Sequence, residues 1–195
     1  MQRKEVMDIL STSGSLLVGH FVLSSGLHSG KYLQVAQVQQ YPDRLEKLCL
    51  ALAERWKGRG VTAVVGPAMG GIVLAYELGR QLGARGLFME RGTSSGFEFR
   101  RGFQVGSDDR VLVAEDVVTT GGSAKEIVEV LQTTPARVVG VTSLICRNTE
   151  VDFGVEYRYL IDFEIPVYKP DECPLCKKGE PVVKPGSRPD RKGSS

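Results

Sequence analysis

The sequence predicts an α/β fold in which helices flank a central, mostly parallel sheet. Short apolar, β-branched segments alternate with helical segments between residues 61 and 146, which is the strand–helix–strand order of parallel sheets. The chain has 195 residues, of which 42% are hydrophobic and 25% charged. It is therefore long enough and apolar enough to form one domain around its own core.

The N-terminal region is predicted to contain one helix followed by short strands. Residues 3–12 favour a helix, because the apolar residues Val6, Ile9 and Leu10 recur at helical spacing. Residues 20–34 alternate in polarity and are interrupted by Ser-Gly pairs, a pattern typical of short strands joined by turns.

The middle of the chain carries the parallel-sheet pattern. A helix is predicted to begin at Pro42 and to end near Gly58. Strands are predicted over residues 61–65, 86–90, 110–115 and 137–146, and helices over residues 72–82 and 123–131. Ligands of such sheets bind beyond the carboxyl ends of the strands, where the strand order reverses. The site is therefore expected among the glycine-rich loops 66–71, 91–96 and 116–122.

Charge and composition exclude several classes of function. The net charge is +2, residues 1–168 are nearly neutral, and no basic face of a nucleic-acid-binding protein is evident. No apolar run approaches the roughly 18 residues that span a membrane, and the N-terminus lacks the apolar core of a signal peptide. Four scattered cysteines do not suit a secreted disulfide scaffold, so a cytoplasmic protein is expected.

Residues 111–123 carry the strongest functional signal. An apolar strand is followed by Glu115 and Asp116, and then by a turn rich in hydroxyl groups and glycine. Backbone N–H groups of residues 119–122 can converge on a phosphate, and the next helix adds its positive end. The two carboxylates would repel a bare phosphate, so the ligand should also carry ribose hydroxyls or hydrated Mg²⁺. The structural alternative is a strand end with acids and a hydroxyl that only caps the helix.

The segment EDVVTTGGS (Glu115–Ser123) resembles the signature for 5-phosphoribosyl 1-diphosphate (PRPP) of the type I phosphoribosyltransferases, in the wording of the orotate enzymes. Further resemblances to orotate phosphoribosyltransferases cover nearly the whole chain. Phe21–Gln34 resembles their N-terminal hood, and Gly66–Val73 resembles their pyrophosphate loop. Arg147 lies at the end of the next predicted strand, as in these enzymes, and residues 173–188 resemble the tail of a bacterial and archaeal branch. The resemblance implies the type I fold with a small hood built from the N- and C-terminal regions. One domain is expected over residues 1–168, with the hood roughly at 1–40 and the core roughly at 41–165. Past Pro166 the composition shifts to Pro, Lys and Gly, so residues 169–195 are expected to form a tail whose end is disordered.

The resemblance also assigns roles to individual residues. Glu115 and Asp116 are expected to hold the ribose hydroxyls, with Asp116 near Mg²⁺ through water and no side chain bound directly to the metal. The other residues expected to bind PRPP are Val117, Val118, Thr119, Thr120, Gly121, Gly122, Ser123, Ala68 and Met69. Thr119 and Arg147 are expected to contact orotate, and Arg91, Arg100 and Asp116 to be catalytic.

The implied reaction transfers the phosphoribosyl group of PRPP to orotate in pyrimidine biosynthesis, in a homodimer that requires Mg²⁺. The alternatives are a purine phosphoribosyltransferase acting on hypoxanthine or xanthine, and a non-catalytic regulator that binds PRPP. Arg147 disfavours purines, which offer no carboxylate, and the length leaves no room for a DNA-binding domain. Many orotate enzymes have a lysine in the pyrophosphate loop, where this chain has Gly70, and another in the hood, where it has Ser24. The resemblance also implies a mobile lid between Glu90 and Arg101, and its cations in this chain are Arg91, Arg100 and Arg101.

Cys173 and Cys176 have the spacing of a zinc knuckle, but tetrahedral zinc needs two further ligands. Cys49 and Cys146 lie on a predicted helix and a buried strand, where they are poorly placed to supply them. A turn with two free thiols is therefore predicted. His20 and His28 have no cysteine or carboxylate at ligand spacing in the sequence, so they are interpreted as structural.

Overall fold

The structure is a computed structural model that describes residues 1–23, 25–92 and 96–185. The predictions for Ser24, for residues 93–95 of the lid and for the end of the tail lie outside the described residues. The helices are α1 (Arg3–Thr12), α2 (Ala36–Gln39), α3 (Pro42–Ala53), α4 (Gly71–Leu82), α5 (Gly122–Gln132) and α6 (Pro174–Lys177), with a 3₁₀ turn at Glu54–Trp56. The strands are β1 (Leu16–Val22), β2 (His28–Leu33), β3 (Ala63–Pro67), β4 (Arg85–Arg91), β5 (Phe97–Glu98), β6 (Arg110–Val118), β7 (Arg137–Cys146), β8 (Tyr157–Asp162) and β9 (Val167–Tyr168).

The central sheet has six strands in the order β5-β4-β3-β6-β7-β8. Strands β4, β3, β6, β7 and β8 pair in parallel, and the short edge strand β5 pairs with β4 antiparallel. Parallel strands covered on both faces consist of continuous apolar residues, and all five residues of β3 are buried. The predicted α/β fold with a mostly parallel sheet is confirmed.

The strand order reverses between β3 and β6. The chain passes from β3 to β4 on one side and then returns to β6 on the other side. The loops that leave β3 and β6 therefore diverge and open a crevice at the carboxyl edge of the sheet. This is where ligands of open α/β sheets bind.

Helices cover both faces of the sheet and bury two apolar cores. On one face α1, α3 and α4 contribute the first core, which includes Leu10, Leu48 and Leu78. On the other face α5 contributes Ile127 and Leu131 to the second core, together with side chains of the sheet. Because helices cover both faces, a ligand site is expected at the carboxyl edge of the sheet.

A second, three-stranded antiparallel sheet forms the hood, in the order β1-β2-β9. The C-terminal segment adds to it, since Val22 N–H donates to the carbonyl of Val183 and Val183 N–H donates to the carbonyl of His20. The hood therefore contains both N- and C-terminal residues, as the resemblance implied.

Several elements differ from the sequence prediction, and the short elements α2, β9 and α6 were not predicted. Strand β6 continues through both carboxylates to Val118 instead of ending at Glu115, because its ladder with β7 extends to the pairs Val117–Ile145 and Val118–Cys146. Strand β1 begins at Leu16, before the predicted start. Strand β8 was not predicted, since Arg158 and the half-buried tyrosines beside it obscure its apolar pattern. Within the described ranges, no helix has the length and apolarity to cross a membrane.

Candidate active site

A cavity of about 280 Å³ lies at the carboxyl edge of the sheet, beside the point where the strand order reverses. It is lined by Arg91, Glu115, Val117, Val118, Thr119, Thr120, Gly121, Gly122, Ser123 and Glu126. Most residues predicted to bind PRPP therefore surround one cavity. Among the described residues, Asp116, Ala68, Met69, Arg100 and Arg147 are predicted site residues outside this lining.

The turn between β6 and α5 consists of residues 119–121. Gly121 has a φ of +77°, and a Cβ there would lie 2.7 Å from Cγ1 of Val151, so the turn requires glycine. Helix α5 begins immediately after it, and the first N–H groups of a helix have no partner within the helix. Together with the exposed hydroxyls of Thr119 and Thr120, these N–H groups suit an anion.

Glu115 and Asp116 are held at the end of β6 in a largely buried environment. Burial, with a contribution from the charge of Asp116, raises the pKa of Glu115 to about 9. Burial also raises the pKa of Asp116, although Asp116 Oδ1 accepts a hydrogen bond of 2.7 Å from the N–H of Val117. The pair therefore retains a proton near neutral pH, and a ligand that offers hydroxyl donors or a cation would favour its release.

The loop between β3 and α4 packs closely against these carboxylates. A Cβ on Gly66 would lie 2.2 Å from the carbonyl oxygen of Gly71, so the turn is tight at both ends. A Cβ on Gly70 would lie 3.2 Å from Asp116 Oδ2, which places the loop directly beside the acid. A cis peptide joins Ala68 to Met69. The side chain of Met69 is 82% exposed, so it does not pack in the core.

The structure separates the arginines of the predicted lid. Arg91, at the end of β4, lines the cavity, and its guanidinium donates to the carboxylate of Glu126 at 2.6 and 3.3 Å. Arg100 is exposed, with its Nε 3.6 Å from Glu98 Oε1. Arg101 pairs with Glu90 at 2.9 Å. Arg91 thus faces the cavity, whereas Arg100 lies on the arm that follows β5.

Arg147 directly follows β7, and its backbone N–H donates to the carbonyl of Val118 at 2.8 Å. The residue therefore lies beside the start of the phosphate turn at Thr119. Its Nε is buried and has no hydrogen-bond partner within the described part of the chain, and burial lowers the pKa of its guanidinium. A buried donor without a partner is costly unless a ligand accepts its hydrogen bond.

The family of the chain follows from its similarity to known proteins. The sequence pattern of the phosphoribosyl transferase domain matches residues 32–165. The orotate phosphoribosyltransferase of Caldanaerobacter subterraneus subsp. tengcongensis is 47% identical over 189 residues, which are 96% of this chain and 99% of that protein. The chain belongs to the orotate phosphoribosyltransferase family. Within this family, the Thermotoga maritima enzyme is 48% identical over 184 residues, covering 94% of this chain and 98% of its own length.

Solved structures of phosphoribosyltransferases share the fold. The orotate phosphoribosyltransferase of Aeropyrum pernix superposes with a TM-score of 0.69 at 26% identity, covering 81% of this chain and 93% of that one. The adenine phosphoribosyltransferase of Thermoanaerobacter pseudethanolicus superposes with a TM-score of 0.57 at 18% identity, covering 68% and 88%. The second likeness concerns the fold alone, so it does not favour a purine substrate.

One cluster outside the cavity was not expected from the sequence. His20, His28, Cys173 and Cys176 come together at the hood, although their separation along the chain is large. The two histidines have no cysteine at ligand spacing along the sequence, but the fold brings Cys173 and Cys176 beside them. The sequence held part of the signal, because the two histidines lie on either side of a predicted turn between short strands. The other part is structural, since the C-terminal segment lies beside these strands in the hood.

Proposed function

We propose that this member of the orotate phosphoribosyltransferase family transfers the 5-phosphoribosyl group of PRPP to N1 of orotate, forming orotidine 5′-phosphate and pyrophosphate. This reaction is a step of pyrimidine biosynthesis. The proposal is supported chiefly by two features that lie side by side where the strand order reverses. One is a turn suited to an anion after paired carboxylates, and the other is Arg147, whose buried Nε has no hydrogen-bond partner among the described residues.

Each part of PRPP has complementary groups at the cavity. The 5′-phosphate would bind the turn of residues 119–123, with its backbone donors and hydroxyls. The ribose hydroxyls would donate to Glu115 and Asp116. The pyrophosphate would face the peptide of Ala68 and Met69, whose loop lies against Asp116, with Arg91 at the cavity rim.

The donor set fits PRPP that carries Mg²⁺. Carboxylate oxygens are ligands that Mg²⁺ prefers, and this ion keeps several waters when it binds beside phosphates. When bound, the ion would neutralise part of the charge of the pyrophosphate. Asp116 would hold its hydration shell, which requires no side chain bound directly to the metal.

Charged and polar groups of this chain would stabilise the charges that develop during transfer of the phosphoribosyl group. When the bond between the ribose C1 and pyrophosphate breaks, positive charge develops on the ribose and negative charge on the departing group. Glu115 and Asp116 stabilise the positive charge, whereas Arg91 and the N–H groups of the β3–α4 loop stabilise the negative charge. Arg100 is exposed on the arm after β5 and would join them when the lid closes and excludes water.

Arg147 would select the acceptor base. Its guanidinium can bind the carboxylate of orotate with two parallel hydrogen bonds, which supplies the partner that its Nε lacks. Thr119, one residue beyond the carbonyl bound by the backbone of Arg147, would contact the same base. A purine has no carboxylate and would leave the guanidinium desolvated and unpaired.

We further propose a cytoplasmic homodimer in which the lid of one subunit reaches the cavity of the other. The support is the resemblance to the family and the exposed position of Arg100 away from the cavity lining of its own chain. The substrates are the small molecules PRPP and orotate, and neither nucleic acid nor a membrane is a proposed partner.

The experiment is a stoichiometric assay with orotate, PRPP and Mg²⁺. The expected result is equal amounts of orotidine 5′-phosphate and pyrophosphate, at a rate proportional to the protein concentration. Asp116→Asn, purified in parallel, controls for a contaminating enzyme and should be severely impaired. Hydrolysis of PRPP without formation of the nucleotide would contradict the proposal.

A further inference from the structure

Four metal-ligating side chains meet at the hood, and none of them lines the cavity of the proposed active site. His20 lies in β1, His28 begins β2, and Cys173 and Cys176 lie at the start and within the short helix α6. Their four candidate ligand atoms lie within 4.8 Å of one another. All four cysteines of the chain are free thiols, so Cys173 and Cys176 are available as ligands.

Four of the six distances between these atoms lie within about 0.4 Å of the edges of a tetrahedral zinc site, and all six are at most 4.8 Å. Zinc binds sulfur at about 2.3 Å and imidazole nitrogen at about 2.0–2.1 Å, which gives edges of about 3.3 Å between nitrogens and about 3.5 Å between nitrogen and sulfur. His20 Nε2 and His28 Nδ1 are 2.9 Å apart. Cys176 Sγ lies 3.2 Å from His28 Nδ1 and 3.6 Å from His20 Nε2, and Cys173 Sγ lies 3.6 Å from His20 Nε2.

The tautomer of His20 also suits a metal ligand. Its Nδ1 lies 2.8 Å from the carbonyl oxygen of Glu180 and donates to it, because a carbonyl can only accept. The Nε2 of the neutral ring is then left with a lone pair that points into the cluster. Ligating histidines commonly bind a backbone carbonyl through their other nitrogen in this way.

Hydrogen bonds within the cluster do not satisfy it. The single lone pair of His20 Nε2 faces three groups at once, namely His28 Nδ1, Cys173 Sγ and Cys176 Sγ. One lone pair accepts one good hydrogen bond, so two of the three groups would face His20 Nε2 without forming a hydrogen bond to it. A cation at the centre would satisfy all four ligand atoms together.

We propose that His20, His28, Cys173 and Cys176 bind one Zn²⁺ in a structural site. Two thiolates and two imidazoles form a donor set that zinc prefers, and the two thiolate charges neutralise the ion. Four protein ligands leave no open position for a substrate, which distinguishes this site from a catalytic one. His20 and Cys173 are buried, whereas Cys176 is exposed and marks the side from which the ion would enter.

The ion would fasten the C-terminal segment to the hood hairpin. Helix α6 has only four residues, none of them buried, so it has little apolar packing to hold it. Beyond it, the described segment is tied to β1 through the backbone bonds of Val183 and the contact of Glu180 with His20. Coordination would join β1, β2 and α6 at one point and stabilise the folded hood through metal binding.

The first test measures metal content and geometry in the full-length protein. Purified under reducing conditions, it should contain one zinc ion per chain by elemental analysis. Replacing zinc with Co²⁺ should give the visible absorption of tetrahedral cobalt, with cysteinate-to-cobalt charge transfer in the near ultraviolet. Absence of stoichiometric zinc together with no cobalt spectrum, or a disulfide between Cys173 and Cys176 in the freshly purified protein, would overturn the proposal.

Variants assign the ligands. Cys176→Ser changes an exposed residue and should fold, yet it should lose the cobalt charge-transfer intensity of one thiolate and release zinc to a chelator much faster. His28→Gln should likewise weaken zinc binding, whereas Cys49→Ala, in the core and outside the cluster, should retain one ion per chain. A chelator should lower the Tm of the wild type by more than it lowers the Tm of either ligand variant. Full zinc retention in both ligand variants would refute the assignment.

Discussion

Replacing Arg147 with alanine should weaken orotate binding by at least about a hundredfold and leave PRPP binding unchanged. In the structure Arg147 is half-buried and its Nε has no partner among the described residues, so this donor is available to a ligand. A hydrogen bond to a charged group contributes about 1.5–3 kcal/mol, so a bidentate pair contributes about 3 kcal/mol or more. Each 1.4 kcal/mol corresponds to about tenfold in affinity, which gives the predicted factor.

The assay compares orotate with uracil, which lacks only the carboxylate. The wild type should prefer orotate strongly in kcat/KM, and Arg147→Ala should lose most of that preference by losing activity on orotate alone. Arg137→Ala is the matched control, because Arg137 is an exposed arginine at the opposite end of β7. Since the buried Nε makes no hydrogen bond within the ranges that the structure describes, Arg147→Ala should keep the wild-type Tm. Equal loss of PRPP and orotate binding, or an unchanged preference for orotate, would refute the role of Arg147.

Three further predictions concern the cavity and its lid. Asp116→Asn should weaken Mg²⁺-PRPP binding severely, because the ribose hydroxyls and the hydrated ion lose a carboxylate, and calorimetry would show this. Because burial raises the pKa of Glu115 to about 9, from an ordinary value near 4.5, the unfolded chain releases this proton at lower pH than the folded chain. Stability should therefore fall as the pH rises from about 4.5 to about 9, and Glu115→Gln should remove that part of the fall in thermal unfolding. Arg91→Ala and Arg100→Ala should each lower kcat by about a hundredfold, the scale for one preorganised transition-state donor.

A different result would contradict each of these expectations. Unchanged PRPP affinity in Asp116→Asn would remove the carboxylate from the PRPP site. A pH dependence of stability that is the same in Glu115→Gln as in the wild type would show that Glu115 ionises normally. If the lid acts between subunits, mixing Arg100→Ala with Asp116→Asn subunits should restore activity, since one hybrid site then has both groups. Hybrids as inactive as their parents would place the lid in its own chain.

The parallel core could be predicted from the sequence because its signals are local. Strand β7 was predicted with its observed bounds, since the segment is rich in apolar and β-branched residues and is flanked by Arg137 and Arg147. The end of β6 was not, because Glu115 and Asp116 look like loop residues until the ladder with β7 is known. Such boundaries depend on pairing with a partner strand, which the residues of the segment alone do not reveal.

The same distinction holds for the functional residues. The loop after β6 was recognisable because its carboxylates, hydroxyls and glycines are consecutive in the sequence. The pairing of Arg91 with Glu126 and the cluster around His20 depend on contacts between distant segments. The isolation of the buried Arg147 Nε likewise became visible only when its surroundings were known.

The central claim is that the protein joins the phosphoribosyl group of PRPP to orotate rather than to another base. The most direct measurement is the turnover of PRPP with orotate, hypoxanthine, xanthine and uracil, each offered separately at equal concentration with Mg²⁺. We expect rapid nucleotide formation with orotate and little with the other three bases, because only orotate has the carboxylate that Arg147 can bind. Preferential turnover of hypoxanthine or xanthine, or PRPP binding without turnover of any base, would contradict it.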